Sequence, residues 1–248
     1  MTEILEDGDI YFLYRPRVDD EEVESFDEVQ RLLVVLHSWP GRRLRLLVVG
    51  RKRLPEVTSH ERAWWFVFKA AGHPDELREA LDRRTYRTKT RGERVQPPAR
   101  PAGEGAYVIA RHQDHTHLAY KLELPRELGE AQRELDIARE AGYVVSVKNP
   151  QMPSPPGMGG PGIDTADLPR DLLDRFGGRR FIPLDPPDFL DHPGVELVLI
   201  GAADDPGTEL GLDLDAEVER AARSTVFDDL RIRREDRPVE PLFQGEWR

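Results

Sequence analysis

Hydrophobic and polar positions alternate over short distances along much of this 248-residue chain, which is the pattern of β-strands. Runs bounded by glycine, proline or charge predict strands at 10–15, 30–36, 44–50, 63–69, 106–111, 115–124, 143–148 and 195–201. Helical spacing of apolar residues predicts helices at 73–81, 130–141, 168–176 and 215–222. The strands outnumber the helices and do not alternate with them regularly. We therefore expect an α+β fold with a mainly antiparallel or mixed β-sheet and a few short helices.

Prolines and glycines near residue 100 predict a break in the chain. Residues 83–104 have no apolar periodicity, and several prolines and glycines follow one another from residue 97 onward. We expect an N-terminal β-rich half at 1–96, a linker or long loop at 97–104, and a C-terminal α+β half at 105–248. One continuous domain remains the alternative. Five prolines and four glycines at 149–162 predict a second, irregular loop.

Composition limits the classes of protein to which the chain can belong. The chain has no cysteine, which excludes disulfides, thiolate catalysis and cysteine-ligated metal sites. The acidic N-terminus lacks the apolar segment of a signal peptide. The longest apolar runs, 63–68 and 32–36, fall far short of the ~20 residues that span a bilayer. These features predict a soluble cytoplasmic protein with no membrane partner.

The charges of the chain are unevenly distributed. The net charge is −11, from 36 Lys and Arg against 47 Asp and Glu. Residues 41–100 hold 16 of the basic residues and 7 of the acidic ones, a net of +9, so the remainder of the chain carries −20. This polarity predicts a local basic surface on an otherwise acidic protein.

The densest basic segment is 83–94, which carries six cations: Arg83, Arg84, Arg87, Lys89, Arg91 and Arg94. Alternation with Tyr86 and two threonines predicts an extended strand, with Arg83, Arg87, Lys89 and Arg91 on one face. Cations and an aromatic ring on an extended strand suit a polyanion such as a nucleic acid. The same cations can instead pair with acids of this chain, such as those at 19–24, or with a protein partner or a phosphorylated small molecule.

Three of the seven histidines cluster within six residues, and the candidate metal ligands there are His112, Asp114, His115 and His117. On a strand at 115–124, His115 and His117 point to the same face, roughly 6–7 Å apart. Imidazole and carboxylate together suit zinc, iron or manganese. A half-buried strand also needs a polar face, and a pH-sensitive or ligand-contacting histidine pair is a third interpretation.

These observations lead to three functional hypotheses. The leading one is a non-catalytic cytoplasmic binding protein whose basic face, centred on 83–94, engages an acidic partner, either protein or nucleic acid. The second is a metal-dependent hydrolase that uses the histidine cluster, with Glu123 as the nearest candidate general base. The third is a self-assembling structural protein, a homo-oligomer whose acidic and basic regions dock between subunits.

Overall fold

The computed structural model describes residues 2–154, 164–221 and 225–247. The strands are β1 (Thr2–Pro16), β2 (Val29–Ser38), β3 (Leu44–Val49), β4 (Arg62–Ala71), β5 (Arg84–Thr88), β6 (Gly92–Gln96), β7 (Arg100–His112), β8 (His115–Leu124), β9 (Glu140–Lys148), β10 (Phe181–Pro183) and β11 (Glu196–Ala203). The helices are α1 (Pro74–Leu81), α2 (Glu130–Glu134), α3 (Arg170–Arg175), α4 (Pro206–Leu210), α5 (Leu214–Ala221), α6 (Val226–Asp229) and α7 (Glu240–Phe243).

Eight of the strands close into an antiparallel β-barrel. Their order around the barrel is β9-β11-β4-β3-β2-β1-β7-β8, and pairing of β8 with β9 completes the ring. The barrel consists of two four-stranded meanders, β1 to β4 and β7-β8-β9-β11, which meet at the β1–β7 and β4–β11 pairs. Closure leaves the eight barrel strands without a free sheet edge along most of their length.

The expected α+β fold is wrong, because the structure is mostly β, with 41% of residues in strands and 21% in helices around the closed barrel. Helix formation is also weaker than the apolar spacing indicated. Of the helix predicted at 130–141, α2 covers only the first turn, because Asp136 adopts a left-handed φ of 54° and β9 begins at Glu140. No helix in the described ranges is long and apolar enough to cross a membrane.

The barrel strands are buried on both faces over much of their length. Alternate residues such as Phe12, Val34 and Trp65 fill the barrel interior. The intervening residues, such as Leu13 and Val35, face outward beneath α1 and the C-terminal segment. This double burial explains why several strands are continuous apolar runs in the sequence.

The end of the described chain contributes to the main core. Trp247 packs edge-on against Tyr14, with ring centroids 5.1 Å apart, and its indole Nε1–H donates to Glu134 Oε2 at 2.7 Å. Both rings belong to the cluster that fills the barrel interior. The core therefore combines residues from opposite ends of the chain.

Strands from both predicted halves share one sheet. The segment 97–104, expected as a linker or long loop, contributes its residues from Arg100 onward to β7, which pairs with β1. Part of the predicted loop at 149–162 and the last residue of the helix predicted at 215–222 lie outside the described residues.

Candidate functional site

The basic segment forms a two-stranded hairpin on the outside of the barrel. Strands β5 and β6 pair so that Arg84 lies opposite Gln96 and Tyr86 lies opposite Arg94. Gly92 follows the turn with a φ of 71°, a left-handed conformation that glycine adopts without steric cost. Because residues two apart on a strand share a face, Arg84 and Tyr86 project on the same side of the hairpin.

The single cationic face predicted for this segment does not form. Arg83 precedes β5, and Lys89 and Arg91 lie in the turn between β5 and β6. Arg87 projects on the opposite side of the hairpin from Arg84. The cations are therefore distributed over both faces and the tip.

Two of the six cations pair with acids of the same chain. Arg83 contacts Glu21 at 2.5 Å, and Arg94 forms an ion pair with Asp19. These contacts match the alternative of pairing with the acidic stretch at 19–24. In the described part of the chain no carboxylate lies within 4.0 Å of the charged nitrogens of the remaining four, Arg84, Arg87, Lys89 and Arg91.

Arg84 lines a groove with two further arginines, and we call the three, Arg15, Arg31 and Arg84, the arginine groove. Arg15 and Arg31 lie directly opposite each other on β1 and β2. The Arg15 guanidinium donates to the carbonyl oxygens of Ala80 and Pro97 at 2.5 and 2.9 Å, which holds it in place. Burial, with the like charges of Arg31 and Arg84 contributing, lowers the pKa of Arg15 to about 10.

The arginine groove also has an apolar floor and two exposed aromatic rings beside it. The groove has a volume of about 190 Å³, and its floor is formed by Leu33, Leu46 and Val48. Phe68 lines the groove and is 44% exposed, and Tyr86 on the hairpin is 41% exposed. A bulge in the β3–β4 pairing leaves Phe68 without a direct cross-strand partner, which accounts for its exposure.

The histidine cluster lies at the β7–β8 hairpin. His112 and His115 are direct cross-strand partners on either side of the turn that contains Asp114. His115 and Asp114 are exposed, whereas His117 is buried with its ring centroid 6.1 Å from that of His112. Within the described ranges these four residues do not bring three ligand atoms within 4.8 Å of one another.

The structure does not bring Glu123 to the histidine cluster. His117 and Glu123 are six residues apart on β8, about 20 Å along the strand. Burial, with the charges of His112 and His115 contributing, lowers the pKa of His117 to about 4, so its imidazole is neutral at pH 7. Burial raises the pKa of the Glu123 carboxyl.

A second group of potential metal ligands has no signal in the sequence. Asp9 on β1 lies directly opposite His37 on β2, and Asp229 reaches them from the end of α6. His37 Nδ1 is 3.3 Å from Asp9 Oδ2 and 3.5 Å from Asp229 Oδ2. The Trp39 indole donates to Asp9 Oδ2 at 2.8 Å, and the Tyr11 hydroxyl donates to Asp229 Oδ2. We call Asp9, His37 and Asp229 the Asp–His–Asp group.

The Asp–His–Asp group lies in the wall of a pocket of about 580 Å³. Arg42, His73 and Arg231 line the same pocket. Burial lowers the pKa of His37, but hydrogen bonds to Asp229 and Asp9 and the charges of both outweigh it and raise the pKa to about 9. Without a bound ion the group is therefore an imidazolium between two carboxylates.

No protein-family model, curated protein or solved structure matches the chain. Any functional assignment therefore depends on the residues of the chain itself, and two surfaces carry that chemistry. One is the arginine groove with its exposed rings, and the other is the pocket of the Asp–His–Asp group.

Proposed function

We propose that this protein binds single-stranded nucleic acid through the arginine groove and the adjoining β5–β6 hairpin. The observation that carries the proposal is a groove lined by three arginines and the exposed Phe68, with the exposed Tyr86 two residues from Arg84 on the same face of the hairpin. In the described chain, no carboxylate lies within 4.0 Å of the charged nitrogens of Arg15, Arg31 or Arg84. The basic surface predicted at 83–94 is thus extended by Arg15 and Arg31, which lie outside that segment.

The arrangement of the arginines favours an anionic ligand. Like charges that lie directly opposite each other on neighbouring strands destabilise a sheet. Arg15 and Arg31 are such a pair. A phosphate between such guanidinium groups relieves that repulsion and accepts paired, charge-assisted hydrogen bonds. The exposed Arg31 and Arg84 side chains are available for this role, whereas Arg15 is held by backbone carbonyls.

The exposed rings distinguish a single-stranded nucleic acid from an acidic protein. Unpaired bases stack on aromatic side chains, and such stacking contributes about 1–3 kcal/mol per base. Phe68 lines the arginine groove, and Tyr86 lies two residues from Arg84 on the same face of the hairpin, so each offers such a surface. An acidic peptide would use the charges but give the rings no role, and a duplex keeps its bases stacked inside.

The distribution of charge along the chain favours binding of a polyanion at the basic segment. The chain outside 41–100 carries a net charge of −20, which repels a polyanion. The hairpin, including Arg84, belongs to the basic part of the chain at 41–100. Arg31 adds one more cation from outside that range. We therefore expect one binding orientation and a strong dependence on salt.

Fluorescence anisotropy with a labelled oligothymidine tests the proposal. We expect Arg31→Ala/Arg84→Ala to weaken binding and to reduce the slope of log K against log salt by about 1.4, since each phosphate contact on single strands contributes about 0.7. The matched control is Arg170→Ala/Arg180→Ala, which removes the same charge from exposed positions away from the groove. We expect the control to bind as the wild type does.

Two results would contradict the proposal. Equal loss in both double variants would mean that net charge, not the arginine groove, determines binding. Full competition by polyglutamate at equal charge concentration, with no effect of Phe68→Ala or Tyr86→Ala, would assign the surface to an acidic protein partner instead.

A further inference from the structure

The Asp–His–Asp group offers the donor atoms that a transition-metal ion requires. Its members come from β1, β2 and α6, and one ligand atom from each lies within 4.8 Å of the other two. Two carboxylate oxygens and one imidazole nitrogen form a mixed oxygen–nitrogen donor set. Such a set suits Mn²⁺, Fe²⁺ or Zn²⁺ better than Mg²⁺ or Ca²⁺, which prefer oxygen ligands.

The carboxylates of the group are held in position by neighbouring side chains. The Trp39 indole donates a hydrogen bond to Asp9 Oδ2 at 2.8 Å and holds that carboxylate in place. The Tyr11 hydroxyl does the same for Asp229 by donating to Asp229 Oδ2. Hydrogen bonds of this kind orient metal ligands in known sites. Tyr11 lies on β1 and Trp39 directly follows β2, so the barrel itself sets the geometry of the group.

An independent observation points to a bound cation. The Asp9 side chain is only 2% exposed, and its Oδ1 has no hydrogen-bond partner among the described residues. Burial of an unpaired carboxylate oxygen is costly, and buried polar groups without partners are rare in native proteins.

The side of the group that faces the pocket is open. Trp39 and Leu44 line the pocket close to the ligands, while Arg42 and Arg231 lie at exposed positions of its wall. A metal held by three protein ligands with one side open resembles the coordination of catalytic metals and not that of closed structural ones. The exposed Arg42 in that wall would favour an anionic group at the open position.

We propose that Asp9, His37 and Asp229 bind one divalent first-row transition-metal ion, with a coordination position open to the pocket. The site does not depend on nucleic-acid binding. Asp9 and Arg15 are six residues apart on β1, about 20 Å along the strand, so either function can fail without the other. It also differs from the metal site predicted at the histidine cluster.

Metal binding is tested first by titration of Mn²⁺ and Zn²⁺ into chelator-treated protein, with elemental analysis after dialysis. We expect one equivalent per chain in the wild type, and at least a tenfold loss of affinity in Asp9→Asn and in His37→Gln. Asp75→Asn is the matched control, because Asp75 pairs with His73 at 3.3 Å beside the same pocket but lies outside the group. We expect that variant to bind normally.

A measurement on the wild type makes the test independent of the folding of the variants. The indole N–H of Trp39 bonds to Asp9, and that of Trp247 bonds to Glu134. We expect substoichiometric Mn²⁺ to broaden the Trp39 indole resonance and leave that of Trp247 sharp.

Three outcomes would overturn the proposal: no bound metal in the wild type, equal broadening of both indole resonances, or full retention of metal in His37→Gln with loss in His115→Ala. The last outcome would move the metal to the histidine cluster.

Discussion

The Arg45 guanidinium is a charged group buried in the barrel. It is 2% exposed, its Nη1 donates to Glu6 Oε1 at 2.6 Å, and its Nε donates to Asp191 Oδ1 at 2.8 Å. The Tyr107 hydroxyl donates to the same Glu6 oxygen at 2.8 Å. Burial lowers the pKa of Arg45, but the charge and hydrogen bond of Glu6 outweigh it and raise the pKa above its ordinary value. The barrel interior is therefore not purely apolar, and its polar members depend on one another.

Loss of Arg45 should be far more damaging than loss of its neighbour. We expect Arg45→Met to lower the free energy of unfolding by about 3–5 kcal/mol, because the Glu6 carboxylate is left buried without its cation. Arg43→Met is the control, since exposed Arg43 contacts the same Asp191 at 3.4 Å and should cost about 0–1 kcal/mol. Urea denaturation followed by circular dichroism measures both. Similar costs for the two variants would argue against this account.

The buried His117 should make the protein sensitive to acid. Its pKa of about 4 lies below the ordinary 6.5, so between those values the unfolded chain binds more protons than the folded one. Stability contributed by neutral His117 is complete above pH 6.5 and is lost as the pH falls toward 4, by about 2–3 kcal/mol. We expect His117→Leu to flatten the loss of stability over this range. His115 is exposed, so His115→Leu should keep most of the pH dependence of stability seen in the wild type. Identical pH profiles for the two variants would contradict the attribution of this dependence to His117.

At the scale of elements, the β5–β6 hairpin stands apart from the barrel sheet. It forms its own two-stranded sheet, and two-stranded hairpins are marginally stable alone. Two hydrogen bonds join it to Asp19 in the segment before β2. The Asp19 N–H donates to the Val95 carbonyl at 2.7 Å, and the Val95 N–H donates to the side-chain Oδ1 of Asp19 at 2.6 Å. Asp19 therefore anchors the element that carries most of the basic surface.

Removal of this anchor should loosen the hairpin and leave the barrel intact. We expect Asp19→Ala to speed hydrogen exchange of the Val95 amide at least tenfold, because its acceptor and the ion pair to Arg94 are both lost. Amides of β2 and β3 should exchange as in the wild type. Asp20→Ala, one residue further along, is the control. Faster exchange throughout the barrel would show that the hairpin is not a separate unit.

For the molecule as a whole, local sequence patterns predicted several elements of the fold but did not predict that the sheet closes into a barrel. The strand predicted at 115–124 is confirmed with the same bounds, and the helix at 73–81 is confirmed as α1. Local alternation and the helix-start residues encode these elements. Barrel closure depends on pairing between β1 and β7 and between β4 and β11, and no local sequence pattern predicts these pairings.

The candidate sites differ in the same way. The basic segment is contiguous, so composition alone singles it out, although its pairing into a hairpin moved Arg87 away from Arg84. Arg31 entered the arginine groove only through the β1–β2 register. The Asp–His–Asp group joins residues from the first strands and from α6, so spacing rules for contiguous metal motifs do not apply to it.

The contact of Trp247 with Tyr14 has a consequence for biosynthesis. Tyr14 is made more than 200 residues before the ring that packs against it. At translation rates of about 5–20 residues per second, the β1–β2 hairpin must wait on the order of ten seconds or more. During part of that interval its apolar residues face water, because the later strands and the helices that cover them have not yet been made. The nascent chain should therefore be a client of ribosome-associated chaperones until Trp247 emerges.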